Sequence, residues 1–152
     1  MSSTDRVQQA LEAAGLKTRI VEMPQTTRTA ADAAKAIGCE VAQIAKSLVF
    51  RVGDDPLLVI ASGTNRVNEA RVASAIGAAI TKADADFVRE RTGFAIGGVP
   101  PVGHSSRIRT LIDEDLLRFE RIWAAAGTPN AVFELSPAEL PRITGGTVVR
   151  IS

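Results

Sequence analysis

Apolar positions change their spacing repeatedly along the chain, and each change marks an element boundary. Val7, Ala10, Leu11 and Ala14 recur at helical spacing, and Gly15 stops the run. Thr18 to Met23 then reads as a strand ended by Pro24. A second helix starts at Thr29, with Asp32 at the reciprocal capping position, a buried stripe of Ala30, Ala33, Ala34 and Ile37, and Gly38 as the stop. Val41 to Ala45 reads as a short helical turn that leads into Lys46. Ser47–Val52 and Leu57–Ser62 read as paired strands, joined by turn chemistry at Gly53-Asp54-Asp55-Pro56.

The same alternation continues to the end. Asn68 caps a helix carrying Ala70, Ala73 and Ile76, and Gly77 ends it. Ala78–Thr81 reads as a short strand, and Asp84 caps a helix that ends before Gly93. Arg109–Ile112, Phe119–Ala125 and Ala131–Leu135 read as strands. Ser136-Pro137-Ala138-Glu139 signals a helix start, Pro141 keeps that helix short, and Thr147–Ile151 is a closing strand. About seven or eight short strands thus mix with about five helices, and the stretch from Gly93 to Arg121 has little helical signal. Strict βαβ repetition fails, so the expected class is α+β, in one domain over residues 1–152.

Composition narrows the function classes. Hydrophobic residues make up 45% and charged residues 23% of the 152, an ordinary globular balance. No apolar run approaches a membrane span, and the first residues lack the apolar centre of a secretory signal. Cys39 is the only cysteine, which fits a reducing cytoplasm. The net charge of +1 argues against a dedicated duplex-DNA binder but leaves room for a local basic patch that grips a nucleic-acid end.

Catalytic side chains are scarce: one histidine, one cysteine and no tyrosine. A His/Cys zinc site needs more ligands than this, no G-x-S-x-G elbow exists, and Gly97-Gly98 lacks the context of a dinucleotide fingerprint. Three local features remain, each with a structural alternative. Lys46 precedes an apolar strand, as a fixed cation or as a lysine snorkelling from the core edge. Gly97-Gly98-Val99-Pro100-Pro101-Val102-Gly103-His104 is a stretch that exposes backbone to a ligand, or a tight loop. Ala125-Ala126-Gly127-Thr128-Pro129-Asn130 offers a glycine N–H to a bound oxygen, or is a plain hairpin loop.

Taken together and in this order, these stretches resemble the YbaK/EbsC family, related to the editing domain inserted in bacterial prolyl-tRNA synthetases. Thr27-Arg28-Thr29-Ala30-Ala31-Asp32-Ala33-Ala34 is similar to the entry into the family's second helix, and Ile44-Ala45-Lys46-Ser47-Leu48-Val49-Phe50 to its lysine motif. Gly63-Thr64-Asn65-Arg66-Val67-Asn68 resembles a weaker motif that usually has aspartate where Asn65 stands. The glycine–proline loop to His104 and the Trp123–Pro129 loop followed by Val132-Phe133 complete the match, over roughly residues 20–150. The resemblance implies a barrel-like mixed β-sheet flanked by helices. It also implies a freestanding, cytoplasmic aminoacyl-tRNA deacylase that removes a small wrong amino acid from tRNA-Pro or a related tRNA, without metal or other cofactor. A non-catalytic tRNA-end or nucleic-acid binding module on the same fold is the alternative. The implied catalytic groups are Lys46, Gly98 and Gly127, with Arg28, Thr29, Ser47, Asn65, Arg66, Gly97, Val99, Pro100, His104 and Thr128 around the substrate. Serine follows the lysine, where alanine-specific members typically carry asparagine, so the resemblance does not carry alanine specificity. The implied partner is the aminoacyl-tRNA 3′ end, with a synthetase or elongation factor in transient complex, and neither a membrane nor specific duplex DNA. The implied mechanism is substrate-assisted, the terminal ribose hydroxyl handling the proton and His104 bordering the pocket or holding its loop.

Overall fold

A computed structural model describes residues 1–152. The elements in order are α1 (Ser3–Ala13), β1 (Val21–Glu22), α2 (Ala30–Ile37), a 3₁₀ turn (Val41–Gln43), β2 (Ile44–Val52), β3 (Asp55–Ser62), α3 (Glu69–Ile76), β4 (Thr81–Lys82) and α4 (Ala85–Thr92). After a long irregular stretch come β5 (Arg109–Asp113), a second 3₁₀ turn (Glu114–Arg118), β6 (Ile122–Ala125), β7 (Ala131–Leu135), α5 (Glu139–Thr144) and β8 (Thr147–Val149). All eight strands join one mixed sheet in the order β1-β7-β6-β2-β3-β5-β8, with β4 added to β2. The path does not close on itself, so the α+β expectation holds and the barrel-like description applies only loosely.

β3 is the keel of the sheet. Leu57, Leu58, Val59, Ile60 and Ala61 are each 0% exposed, because β2 and β5 flank the strand and both faces are covered. Leu58 and Ile60 pack into the larger core with Val7 and Leu11 of α1, Phe94, Ile112 and Phe133. Leu57, Val59 and Ala61 pack on the other face with Phe50, Val72 of α3, Leu111 and Ile151. A strand buried on both sides reads as an unbroken apolar run, which is what Leu57–Ala61 shows.

The expected side-chain caps form, but Asp32 does not return the bond to Thr29 N–H as its reciprocal position suggests. Thr29, Asn68 and Asp84 accept from the backbone N–H of Asp32, Arg71 and Phe87, at 3.1, 3.1 and 2.8 Å. The expected strand ends move wherever another group captures the backbone. The strand expected at Thr18–Met23 shrinks to Val21–Glu22, because Gln8 of α1 takes the Ile20 N–H at 3.2 Å. Ala78 bonds back to Ala73 O at 3.2 Å, so β4 starts only at Thr81. Asp113 caps the second 3₁₀ turn through Asp115 N–H at 3.0 Å, so β6 starts at Ile122 rather than Phe119. Ile151 O accepts from Asn68 N–H at 2.7 Å and leaves the closing strand at Val149. Ser136 forms a turn to Glu139 rather than a side-chain cap, and α5 runs through Pro141 to Thr144, since proline in a first turn has no N–H to satisfy there. The connection between β2 and β3 is a two-residue turn, Gly53-Asp54, with Val52 opposite Asp55.

β2 differs from expectation in a way that matters for function. It begins at Ile44, and the helical turn before it covers only Val41–Gln43. Lys46 therefore stands inside a strand and not at a helix-to-strand junction.

Candidate functional site

The site grows from an interruption in the sheet. Along one side β2 pairs with β3 without a break from Ala45 to Val52. Along its other side it pairs with β6 only at Ile44 and Ala45, and with β4 only at Phe50 and Arg51. Lys46 to Val49 have no strand on that side.

The register fixes which backbone groups face the opening. Pro56 lies opposite Arg51 and has no N–H, so Arg51 cannot form a hydrogen-bonded pair with β3, and the hydrogen-bonded pairs are those of Val52, Phe50, Leu48 and Lys46. Ser47 and Val49 therefore turn their N–H and C=O groups away from β3. Extending the β6 ladder would bring Gly127 N–H to Ser47 C=O. Instead, Gly127, at φ +103°, turns its N–H to Gly98 O at 2.9 Å. Ser47 N–H, Ser47 C=O and Val49 N–H are left without a partner in either flanking strand.

A cavity of about 750 Å³ fills this gap. Residues 44–50 of β2 form one wall, and the start of α2 from Arg28 to Ala31, Val88, Gly97, Val99 and Trp123–Ala125 form the rest. The lining is largely apolar and contains no carboxylate, histidine or cysteine. Ser47 Oγ is buried there with no hydrogen-bond partner. A polar groove of about 700 Å³ adjoins it, sharing Lys46, Gly63 and Lys82 and adding Thr64, Asn65, Arg66 and Glu69.

Four cations, Arg28, Lys46, Arg66 and Lys82, thus surround the two spaces. None of them takes part in the protein's ion pairs, which are Arg51–Asp54, Arg118–Asp115, Arg121–Glu134 and Arg142–Glu139. Burial lowers the pKa of Lys46 from its ordinary value, Asp113 opposes that shift and Arg66 reinforces it. An ammonium that is desolvated and short of counter-charge is set to gain from an anionic or carbonyl ligand.

Asp113 is 1% exposed and accepts from Ser62 N–H at 2.9 Å, Asn65 Nδ2 at 2.8 Å and Asp115 N–H at 3.0 Å. Asn65 Nδ2 also donates to Asp115 Oδ2 at 2.7 Å. Asparagine suits this place because it brings a donor to two carboxylates, and these bonds hold the Gly63–Val67 loop so that Arg66 borders the groove.

The sequence-derived residues divide into two groups. Arg28, Thr29, Lys46, Ser47, Gly97 and Val99 line the cavity, and Asn65 and Arg66 the groove. Gly98, Gly127, Pro100, Thr128 and His104 line neither. The expectation that Gly98 and Gly127 offer backbone N–H groups is corrected, since Gly98 N–H bonds to Ala95 O at 3.2 Å and Gly127 N–H to Gly98 O. Glycine is required at 98 by crowding, because a Cβ there would meet the Thr128 backbone at 2.9 Å. Thr128 Oγ1 donates to Asn130 Oδ1 at 3.1 Å. His104 faces a separate depression with Ser105 and Arg107, its Nε2 2.7 Å from Pro100 O and its ring edge-on to Phe94. Lys82 and Asp113 were not foreseen. Lys82 looks like any surface lysine in the sequence, and Asp113 like the polar end of a strand. No group of three or more His, Cys, Asp or Glu side chains is placed to hold a metal ion, and no helix is long and apolar enough to cross a membrane.

Two tests follow from this geometry. Asn65→Asp sets a third carboxylate against Asp113 and Asp115, and we expect a melting-temperature loss at pH 7 that shrinks toward pH 5 as that carboxylate takes up a proton. A loss equal at both pH values would show that the amide donor is not what holds the loop. Burial lowers the pKa of His104 from 6.5, with the Pro100 carbonyl pulling the other way. The unfolded chain therefore binds the proton first, and stability present above pH 6.5 is lost as pH falls toward the folded pKa. His104→Gln should flatten the decline in stability between pH 7.5 and about 5.5, read by urea denaturation, and an unchanged slope would contradict it.

Comparison with known proteins identifies the family. Residues 24–143 match the aminoacyl-tRNA editing domain family. The chain is 34% identical to the uncharacterised protein YwhH of Bacillus subtilis over 122 residues, 80% of this chain and 78% of that one. It is 25% identical over 127 residues to an Enterococcus faecalis protein named "Putative Cys-tRNA(Pro)/Cys-tRNA(Cys) deacylase EbsC", covering 82% and 77% of the two. A proline–tRNA ligase of Limosilactobacillus fermentum is 32% identical over 94 residues, which span 58% of this chain and only 16% of the ligase. A solved structure described as a "putative trans-editing enzyme for prolyl tRNA synthetase" is 46% identical, with a TM-score of 0.95 over 100% of this chain and 98% of that one. The chain belongs to the aminoacyl-tRNA editing domain family.

Proposed function

We propose that the protein hydrolyses the ester between a wrongly attached amino acid and the terminal adenosine of a tRNA. The observation that carries this reading is the juxtaposition at Lys46, with an apolar cavity of about 750 Å³ on one side and a cationic groove on the other. An aminoacyl-tRNA end has the matching halves: a small acyl group, and a ribose with phosphates. Arg66 and Lys82, which line the groove, hold the phosphates, Arg28 adds its charge from the cavity lining, and Lys46 sits where the two halves meet.

The chemistry needs little from side chains. Water adds to the acyl carbon, the bond from that carbon to the ribose oxygen breaks with its electron pair leaving on oxygen, and that oxygen takes a proton. The products are a free amino acid and the ribose diol. No lining residue is an acid, histidine or cysteine, which is why we assign the proton transfer to the neighbouring ribose hydroxyl and no role to a metal. One well-placed donor on the developing oxyanion contributes about 10²–10³ in rate. His104 lies outside the cavity with Nε2 on Pro100 O, and we assign it to holding the loop.

The names of the relatives point to tRNA-Pro as the carrier and a small amino acid as the cargo. A synthetase gains only about 1–3 kcal/mol per methylene and so admits smaller side chains, which a second site must remove. The partial match to proline–tRNA ligases supports such a ligase as the transient partner that delivers the substrate, and an elongation factor is the alternative carrier in this proposal. The lack of a carboxylate, histidine or cysteine in the cavity also supports a second reading, a tRNA-end binding module without turnover.

Incubation with a panel of mischarged tRNAs separates the two. The enzyme reading requires release of at least one amino acid over many turnovers, and binding without release favours the module. Lys46→Ala should lower kcat/KM about 10²-fold with little change in melting temperature, while His104→Gln keeps at least about a tenth of the rate, a barrier change within ~1.4 kcal/mol. Near wild-type turnover by Lys46→Ala would remove Lys46 from the mechanism.

A further inference from the structure

The gap in the sheet leaves a particular set of backbone groups unused. Ser47 directs both its N–H and its C=O into the cavity, and neither reaches β4 or β6. In an antiparallel ladder, a residue so oriented exchanges two bonds with one residue opposite: it donates to that residue's carbonyl and accepts from that residue's nitrogen. Its partner therefore needs a nitrogen donor and a carbonyl acceptor separated by a single tetrahedral carbon. An L-aminoacyl ester is this unit, with α-ammonium, Cα and ester carbonyl.

We propose that the aminoacyl group of the substrate docks on Ser47 as a one-residue edge strand, its carbonyl oxygen accepting from Ser47 N–H and its α-ammonium donating to Ser47 C=O. The inference rests on the aminoacyl-ester reading above and assigns the acyl subsite within it. It replaces Gly98 and Gly127, whose N–H groups are spent inside the fold, with a donor that is free. The polar part of this wall then has a purpose, because along β2 Ser47 is the residue left with both a donor and an acceptor facing the cavity.

The geometry also orients the substrate's side chain. Directly opposed residues of an antiparallel pair place their side chains on the same face. The acyl side chain accordingly falls on the Ser47 face, with Ala45 and Val49 from β2 and with Val88 and Val99, which belong to the same apolar cluster. Lys46 and Leu48 point to the opposite face, where Lys46 also borders the groove assigned to the ribose and phosphates.

The probe is a short acceptor-stem RNA ending in 3′-alanylamino-3′-deoxyadenosine, whose amide resists hydrolysis, added to the ¹⁵N-labelled full chain. The Ser47 amide proton is expected to move downfield and gain protection from exchange, while Leu48 N–H, already bonded to β3, stays in place. A matched RNA carrying a propionyl group, which lacks the α-ammonium, is expected to bind at least about 10-fold more weakly, as loss of a hydrogen bond from a charged group implies. The proposal is overturned if the response appears at Gly98, Gly127 or Val99 with Ser47 silent, if the propionyl RNA binds equally well, or if the alanylamino RNA does not bind at all. Failure of the hydrolase reading would look different: no mischarged tRNA would be deacylated, yet the Ser47 amide would still respond to the probe.

Discussion

The antiparallel pairing of β2 with β3 carries the rest of the structure. β3 is sealed on both faces and flanked on both sides, so it holds β2 in register along its whole length. That support allows β2 to do without a strand over Lys46–Val49 on its other side. Backbone groups buried without partners cost about as much as a lost hydrogen bond. Here they open onto a cavity, where water can occupy them and a ligand can replace the water. An exposed strand edge would also invite pairing with another chain. In this fold the edge lies in a recess walled by the start of α2 and the Gly97–Val99 loop.

The walls opposite β2 depend on two loops that cross at close range. Gly98 O receives Gly127 N–H, and the backbones approach too closely for a Cβ on Gly98. α1 braces this crossing from behind. Arg6 donates to Gly93 O at 2.8 Å and stacks its guanidinium 4.5 Å from the Phe94 ring centre, while a Cβ on Gly127 would come within 3.1 Å of Ser3 O. His104 fastens the same loop through Pro100 O. Gly98, Gly127 and His104, which attract attention in the sequence, thus shape the cavity from outside it, and β2 supplies one of its walls. Charge is arranged just as locally. A net charge of +1 conceals four unpaired cations around one opening, with Asp113 held beneath by three donors and opposing the loss of charge on Lys46.

Local chemistry was legible in the sequence. Thr29, Asn68 and Asp84 cap the helices they precede, and the apolar run at Leu57 is a buried strand, because these features depend on neighbours within a few residues. Lys46 and Ser47 were found through the motif around them. The gap was not legible, since it arises from where β6 and β4 meet β2, pairings that join distant segments. For the same reason Ile44 and Ala45, which read as the end of a helical turn, proved to be the first rungs of the β6 ladder. The cause of glycine at 98 and 127 was missed because close approach to Thr128 and to α1 leaves no mark in the sequence around either residue.

Residue-resolved amide hydrogen exchange along β2 of the free protein tests the central claim most directly. Lys46, Leu48 and Phe50 donate to β3, whereas Ser47 and Val49 point into the gap. The account predicts alternating protection, slow at Lys46, Leu48 and Phe50 and faster by about 10²-fold or more at Ser47 and Val49, since their N–H groups need no opening of the ladder to exchange. Uniformly slow exchange from Lys46 to Phe50 would mean that the edge is paired and that no backbone docking site exists.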